Sequence, residues 1–309
     1  MFDRELFDEA RKEFLSYLLY AKGHRKTTGY AYHSDLGIWA NWLIEADKDW
    51  QRARAADVEQ FSAWQLRERR ISVAIVTRRM SALSSFYRWA LKHEIVERDP
   101  VALADKPKRP LRMPVWLERE EQAHLEATLK DRRNLPLNIF GQPPERMTAT
   151  RRRYELLFGL LLNSGLRISE ALGLKIADVR LVDGTAKSAR VIGKGDKERI
   201  VPLPDAFGAV FGFWLKDQPR GELVFAKALG QKAVSSQAAR AYLRGMVRKA
   251  GIDKKISPHK LRHTYATNLL NTGAELVDIK ALLGHESIAT TQIYTNVGQE
   301  RMEQVVGRL

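Results

Sequence analysis

The sequence predicts a mainly α-helical chain of two domains, the second carrying a small antiparallel β-sheet. Three observations predict it. Residues 3–106 place apolar side chains at helical spacing with little strand signal. The stretch ALADKPKRPLRMPVW at 102–116, rich in proline and basic residues, reads as extended linker, too polar to be core. Beyond it, helical segments are interrupted by short β-like runs, Ala189–Ile192 and Glu198–Leu203. These flank Gly193-Lys194-Gly195-Asp196, a hairpin turn with glycines where positive φ is expected. The boundaries drawn are 1–106 for the first domain, 107–115 for the linker and 116–309 for the second domain.

In the first domain, Asp3–Ala21 lines up Leu6, Phe7, Ala10, Phe14, Tyr17 and Leu18 on one helical face. A second helix starts at the capping pair Thr27-Thr28 and runs through Tyr30, Leu36, Trp39, Trp42 and Leu43. Residues 56–70 and 74–93 supply two more, the last with Met80, Leu83, Phe86, Tyr87 and Ala90 at helical spacing. The aromatic residues read as core rather than as base-stacking groups. Arg78 and Arg79, beside polar Thr77, are candidate phosphate contacts, as are Lys108, Arg109 and Arg112 in the linker.

In the second domain, Leu117–Lys130 starts as a helix. DRRNLPLNIFGQPPERMTA at 131–149 is long and proline-rich, and is either a mobile surface loop or an added contact through Arg132, Arg133 and Arg146. Arg151–Arg153 open a helix whose apolar face, Leu156 through Leu162, is core. Helices at about 204–216 and 234–250 follow.

Composition narrows the function. With 309 residues, 44% apolar content and seven tryptophans, the chain is long and apolar enough for two packed cores. No apolar run approaches the roughly 18 to 20 residues that span a bilayer, and MFDRELFDEARKEF lacks a signal-peptide core. With no cysteine, thiol chemistry is excluded, in agreement with a reducing cytoplasm. The net charge of +15 is uneven: residues 1–106 carry 18 Lys+Arg against 16 Asp+Glu, and 107–309 carry 34 against 21. A basic surface of this kind points to nucleic acid.

Three motifs sit in that basic part. NSGLRISEALGL at Asn163–Leu174 contains Arg167 and, one turn on, Glu170. VIGKGDKERIVPLP at 191–204 contains Lys194 at the hairpin tip, with Lys197 as the less favoured lysine. In SPHKLRHTYATNLLNTGAELVDIKALLGHESIATTQIYT at 257–295, Ser257 and Pro258 read as N-cap and first helical position, so His259 and Arg262 leave one face three residues apart. Asn271-Thr272-Gly273 ends that helix; the next carries Leu276, Ile279, Leu282 and Leu283 and stops at Gly284, before His285. A third short helix from Ser287 carries Tyr294, nine residues after His285. Taken singly, His259 fits a surface or capping histidine and Tyr294 a core residue. Their order and spacing carry the information.

H-x-x-R, then L-G-H, then a tyrosine nine residues later closely resembles box II of the tyrosine recombinase, or phage integrase, family. The segment around Arg167 resembles its box I, and the hairpin resembles the one bearing its active-site lysine. The resemblance covers essentially the whole chain. It implies an N-terminal SAM-like four-helix core-binding domain and an α+β catalytic domain. It further implies a site-specific recombinase of the two-domain, Xer-like type, in which Tyr294 attacks DNA to form a 3′-phosphotyrosine. Arg167, Arg262 and His285 stabilise the phosphate, Lys194 protonates the leaving 5′ oxygen, His259 accepts the tyrosine proton and Glu170 orients a basic neighbour. Because the first domain begins within the first few residues, no further arm-site-binding domain is expected before it.

Such a transesterification swaps phosphoryl bonds rather than hydrolysing them, so no metal, ATP or other cofactor is expected, and the sequence has neither a P-loop nor HExxH. The expected partner is double-stranded DNA carrying a specific target site, bound by a homotetramer or by a heterotetramer with a related recombinase. The expected location is the bacterial cytoplasm, at the nucleoid. An integrase or resolvase of a phage, plasmid or transposon shares these features. An inactive DNA-binding relative would carry a broken residue set, whereas all six positions are filled here. A type IB topoisomerase shares much of the chemistry but not the LGH motif or the amino-terminal bundle. Finally, Met302, Val305, Val306 and Leu309 make an apolar stripe on a tail helix that docks either on its own domain or, as in relatives, on a neighbouring subunit.

Overall fold

The computed structural model describes residues 2–108, 114–131, 145–193, 198–216, 222–226 and 231–284, with side chains in the helix beginning at Glu145 described from residue 149. The chain divides into two compact units, Met1–Arg112 and Met113–Leu309.

The first unit contains α1 (Arg4–Ser16), α2 (Lys26–Glu45), α3 (Ala55–Arg67) and α4 (Val73–Lys92), and α1 runs on through a π-helical turn at Tyr17–Ala21. The Asp3 side chain caps α1 by accepting from the Leu6 amide at 3.0 Å. The expected apolar faces converge on an aromatic core: Phe7, Phe14, Trp39, Trp50, Phe61, Phe86 and Tyr87 are buried. Two residues assigned to those faces lie outside it. Leu6 is 38% exposed and Tyr30 73% exposed, since each sits at the margin of a stripe that only the central positions bury. The α2 cap also differs from expectation: Arg25 is the N-cap, in extended conformation, and Thr27 and Thr28 lie within the first turn.

Among the polar groups buried with these aromatics, the Trp39 indole, the Tyr87 hydroxyl and the Trp50 carbonyl form a chain, while Trp50 Nε1 has no hydrogen-bond partner. The Tyr87 hydroxyl accepts from Trp39 Nε1 at 3.0 Å and donates to the Trp50 carbonyl at 2.9 Å. Full burial pushes the phenol far above its ordinary pKa, so it stays a hydroxyl.

The second unit contains α5 (Arg119–Lys130), α6 (Glu145–Ser164), α7 (Ile168–Gly173), β1 (Val179–Val182), β2 (Thr185–Ile192), β3 (Glu198–Pro202), α8 (Asp205–Leu215), α9 (Ser236–Lys249), α10 (Pro258–Asn271) and α11 (Leu276–Leu283). Helix α6 is its axis, burying Leu156, Leu157, Phe158, Leu160, Leu161 and Leu162, a helix apolar on nearly every side because neighbours surround it. It begins six residues earlier than expected, so the proline-rich stretch is shorter than drawn, and residues 132–144 of it lie outside the described residues. Arg151, buried within it, donates to the Thr128 and Leu129 carbonyls at 2.8–3.0 Å, closing the last turn of α5.

The sheet is antiparallel in the order β1-β2-β3. Strand β1 adds to the two expected strands, and β2 starts four residues before the expected one. The register pairs Ile192 with Glu198 and Val191 with Arg199. Residues 194–197 themselves lie outside the described residues.

Replacing Tyr87 by Phe should leave the Trp39 indole and the Trp50 carbonyl unpaired in an apolar core. The expected cost is about 1–3 kcal/mol, read as a lower urea midpoint in tryptophan fluorescence. An unchanged midpoint would mean that the two groups find other partners.

Candidate active site

Box I reaches the site through a tight exit from α6. Gly165 follows Ser164 at φ +61°, and a Cβ there would lie 2.4 Å from Tyr265 Cδ1 and 2.7 Å from Leu283 Cδ2. The bare backbone therefore lets α10 and α11 close onto the start of α7. Arg167 is the N-cap of α7, extended at φ −68°, ψ 146°. Glu170, at the third position of that helix, accepts from the Arg167 amide at 2.8 Å and from its guanidinium at 2.8 Å.

Glu170 is the hub of a larger network. Its side chain is 5% exposed and also receives Arg199, from β3, through both terminal nitrogens at 3.2 and 2.8 Å. Burial alone would raise the carboxyl pKa. Hydrogen bonds from Arg199 and from the Arg167 amide, with the Arg199 charge, outweigh it and hold the pKa below the ordinary carboxylate value. Glu170 thus orients Arg167 and a second arginine that the sequence motifs do not single out. The signal for it is strand parity. Arg199 shares a face with buried Val201, whereas Ile200 between them is 69% exposed.

Box II starts as its sequence suggests. Ser257 is the N-cap of α10 and Pro258 the first helical residue, although the serine side chain makes no capping bond. His259 and Arg262 follow on one face. Arg262 is fully buried and donates to the Gly165 carbonyl at 2.7 Å and to the Leu283 carbonyl at 2.5 Å. It therefore ties the box I loop to the end of α11. Thr264, on the same helix, accepts from the Leu117 amide at 2.9 Å and donates to the Lys260 carbonyl, fixing α10 to the start of α5.

His259 meets solvent on one side, yet partial burial first, then the charges of Arg262 and Arg167, lower its pKa. The three basic groups thus share one electrostatic environment. Behind it lies His263, its ring edge-on to His259 at 4.7 Å between centroids. Burial, with the charge of neighbouring His259, Arg262 and Lys260, brings the His263 pKa down to about 4.

Helix α11 ends at Gly284, in the left-handed conformation at φ 62°, ψ 51°. His285 comes next in the chain. His285, Tyr294 and the tail stripe of Met302, Val305, Val306 and Leu309 all lie outside the described residues, as do Lys194, Arg109 and Arg112. Lys108 is exposed. In the first unit, Arg78 pairs in bidentate fashion with the buried Asp35 while remaining half exposed. Arg79 is turned inward, 14% exposed, toward Gln65 at 2.5 Å and Asp35 at 3.4 Å. Its charge thus also serves the bundle. Among the described residues no group of three His, Asp or Glu is placed to hold a metal, and no helix is long and apolar enough to cross a membrane.

Two helices and a hairpin gather Arg167, Arg199 and Arg262 around a short α7 on a helical scaffold. The chain belongs to the phage integrase family: the model of that family matches residues 142–301, and that of the phage integrase N-terminal SAM-like domain matches residues 12–94. It is 33% identical over 304 residues to the tyrosine recombinase XerD of Proteus mirabilis, covering 94% of this chain and 90% of the relative. To the tyrosine recombinase XerC of Listeria innocua it is 30% identical, with 96% and 95% covered. The fold is also that of the XerH site-specific recombinase crystallised with a palindromic difH substrate in a post-cleavage complex, at TM-score 0.74 and 20% identity, with 98% of this chain and 88% of that one covered.

Adding a methyl group at Gly165 tests how tightly the boxes are closed. Gly165→Ala must strain a left-handed residue and displace Tyr265 or Leu283. A loss of about 2 kcal/mol or more is expected, measured as a lower denaturation midpoint. A variant as stable as the wild type would show that α10 and α11 do not depend on this close approach.

Proposed function

We propose that this chain, a site-specific tyrosine recombinase of the Xer-like type, cuts and rejoins duplex DNA at the site gathered around Arg167, His259 and Arg262. The observation that carries the reading is the shared scaffold: Arg262 holds the Gly165 and Leu283 carbonyls, so the segments leading to Arg167 and to His285 converge on one buried cation. The net charge of +15 and the DNA named in the relatives' structures support double-stranded DNA as the substrate.

In the proposed reaction the Tyr294 hydroxyl oxygen attacks the scissile phosphorus. Its proton passes to His259, the P–O5′ bond breaks, and Lys194 gives a proton to the departing 5′ oxygen. The product is a 3′-phosphotyrosine and a free 5′ hydroxyl. Attack by a 5′ hydroxyl of the partner duplex then reverses these steps and releases Tyr294. Since one phosphate ester replaces another, the reaction consumes no nucleotide. Arg167 presents a fork held by Glu170, and Arg262 a fixed buried charge, for the oxygens that gain negative charge in the transition state. His285 donates a further hydrogen bond.

Arg78 and Lys108, together with Arg109 and Arg112, fit contacts to the DNA backbone. The proposed assembly is a homotetramer, or a heterotetramer with a related recombinase, on two duplexes with the tail helix docked between neighbours, and the proposed location is the bacterial cytoplasm, at the nucleoid.

Tyr294→Phe should bind target DNA with unchanged affinity and form no covalent adduct on a nicked duplex. An adduct that survives denaturation in this variant would move the nucleophile elsewhere. Arg167→Ala should lower adduct formation by about 100-fold or more. On a duplex whose leaving 5′ oxygen is replaced by sulfur, which needs little protonation, Lys194→Ala should recover and Arg167→Ala should not. Equal defects on both substrates would remove Lys194 as the acid.

The lowered pKa of His259 sets the acid limb. Protonation removes the acceptor, and its midpoint lies below the ordinary histidine value of 6.5. Adduct formation at subsaturating DNA, which reports the free enzyme, should therefore fall on acidification with a midpoint below pH 6.5. A decline centred above pH 6.5 would assign the proton to another group.

A further inference from the structure

We infer that Arg199 is a positioning residue for strand cleavage, one planar cation that couples the acid holding Arg167 to the backbone from which His285 departs. The inference rests on the reading of Arg167, Lys194 and His285 as catalytic. Arg199 is the second residue of β3 and lies five residues after Lys194 in the chain. Its side chain is 13% exposed. Two nitrogens meet the two oxygens of Glu170, while Nε donates to the Leu282 carbonyl at 3.1 Å.

The other end of each contact leads to a proposed catalytic group. The same Glu170 oxygens accept from the amide and guanidinium of Arg167. Leu282 lies three residues before His285, and the chain between them turns at Gly284, where an added Cβ would lie 3.3 Å from Arg199 Cδ and Nη1. The arginine thus lies against the glycine that redirects the chain toward His285. An ion pair serving stability alone needs one charge opposite Glu170. The third donor, aimed at a helix-end carbonyl, needs the fork of a guanidinium, which a lysine cannot supply. Lys194, Arg167 and His285 come from separate segments, and Arg199 is joined covalently to the first and by hydrogen bonds to the elements bearing the other two.

The test uses the full-length chain and a nicked duplex enriched from a random-sequence pool by covalent capture with the wild type. Single-turnover adduct formation at saturating protein is compared with affinity for the same duplex. Arg199→Ala should lose about 10- to 100-fold in rate, the scale of a misplaced catalytic group, with affinity within about twofold. Arg199→Lys keeps a cation opposite Glu170 and so keeps the fold, yet it should still lose about tenfold because it cannot span both partners. Millimolar guanidinium, against equal sodium chloride, should restore part of the Ala variant's rate. A purely structural role would not respond this way, since the ion destabilises proteins. A Lys variant with wild-type rate, a loss carried entirely by affinity, or an Ala variant that guanidinium does not rescue would each overturn the inference. Tyr294→Phe runs alongside. An adduct in that variant would overturn the assigned nucleophile, while the Arg199 comparison, made on whichever adduct forms, would still stand.

Discussion

The last turn of α11 is the constraint on which the second unit's site depends. A helix leaves its final carbonyls without partners inside the helix, and when that end is buried each must find a donor from elsewhere. Here the Gly284 amide serves Ala281, Arg199 serves Leu282 and Arg262 serves Leu283. Two of the three donors are cations from different elements, favourably placed at the negative end of the helix dipole. Satisfying these carbonyls therefore draws β3 and α10 to one point, and the left-handed Gly284 aims the chain onward from it.

Of these two arginines, Arg199 also belongs to a charge network around a buried carboxylate, whose energetics favour fixed geometry. Glu170 is nearly inaccessible and sits between Arg167 and Arg199. Taking such charges out of water costs several kcal/mol per ion, returned only if geometry and hydrogen bonding are good, so a network of this kind is weak evidence for stability. Its clearer product is orientation. Arg167 is held at both its amide and its guanidinium while keeping 38% of its side chain exposed, a preorganised donor facing solvent. The first unit uses a similar device: buried Asp35 gathers Arg78 and Arg79 within a largely apolar bundle.

Helical periodicity and punctuation make much of this protein legible in the order of its residues. Phe7, Phe14, Trp39, Phe86 and Tyr87 are core because apolar residues at helical spacing have one common face to bury. Ser257-Pro258 and Gly284 mark helix ends through the backbone angles these residues accept, a local property. Motif order likewise points to the family and to Arg167, Glu170, His259 and Arg262. Other features need tertiary structure. That Leu6 and Tyr30 fall outside the core depends on how wide a stripe the neighbours cover. Strand β1 is four residues long, too short to declare itself without the partner that pairs with it. Arg79 reads as a free cation until Asp35, from another helix, is seen beside it. Above all, nothing local to ERIVP shows that Arg199 reaches Leu282, 83 residues away, because the carbonyl that attracts it becomes a buried, unpaired acceptor only once α11 has formed and packed. The sequence by itself determined which stretches are helical, the helix ends marked by Ser257-Pro258 and Gly284, and which residue types the chemistry would use. Only the folded chain decided which cation satisfies which acceptor, since that depends on burial, and burial is a property of the whole.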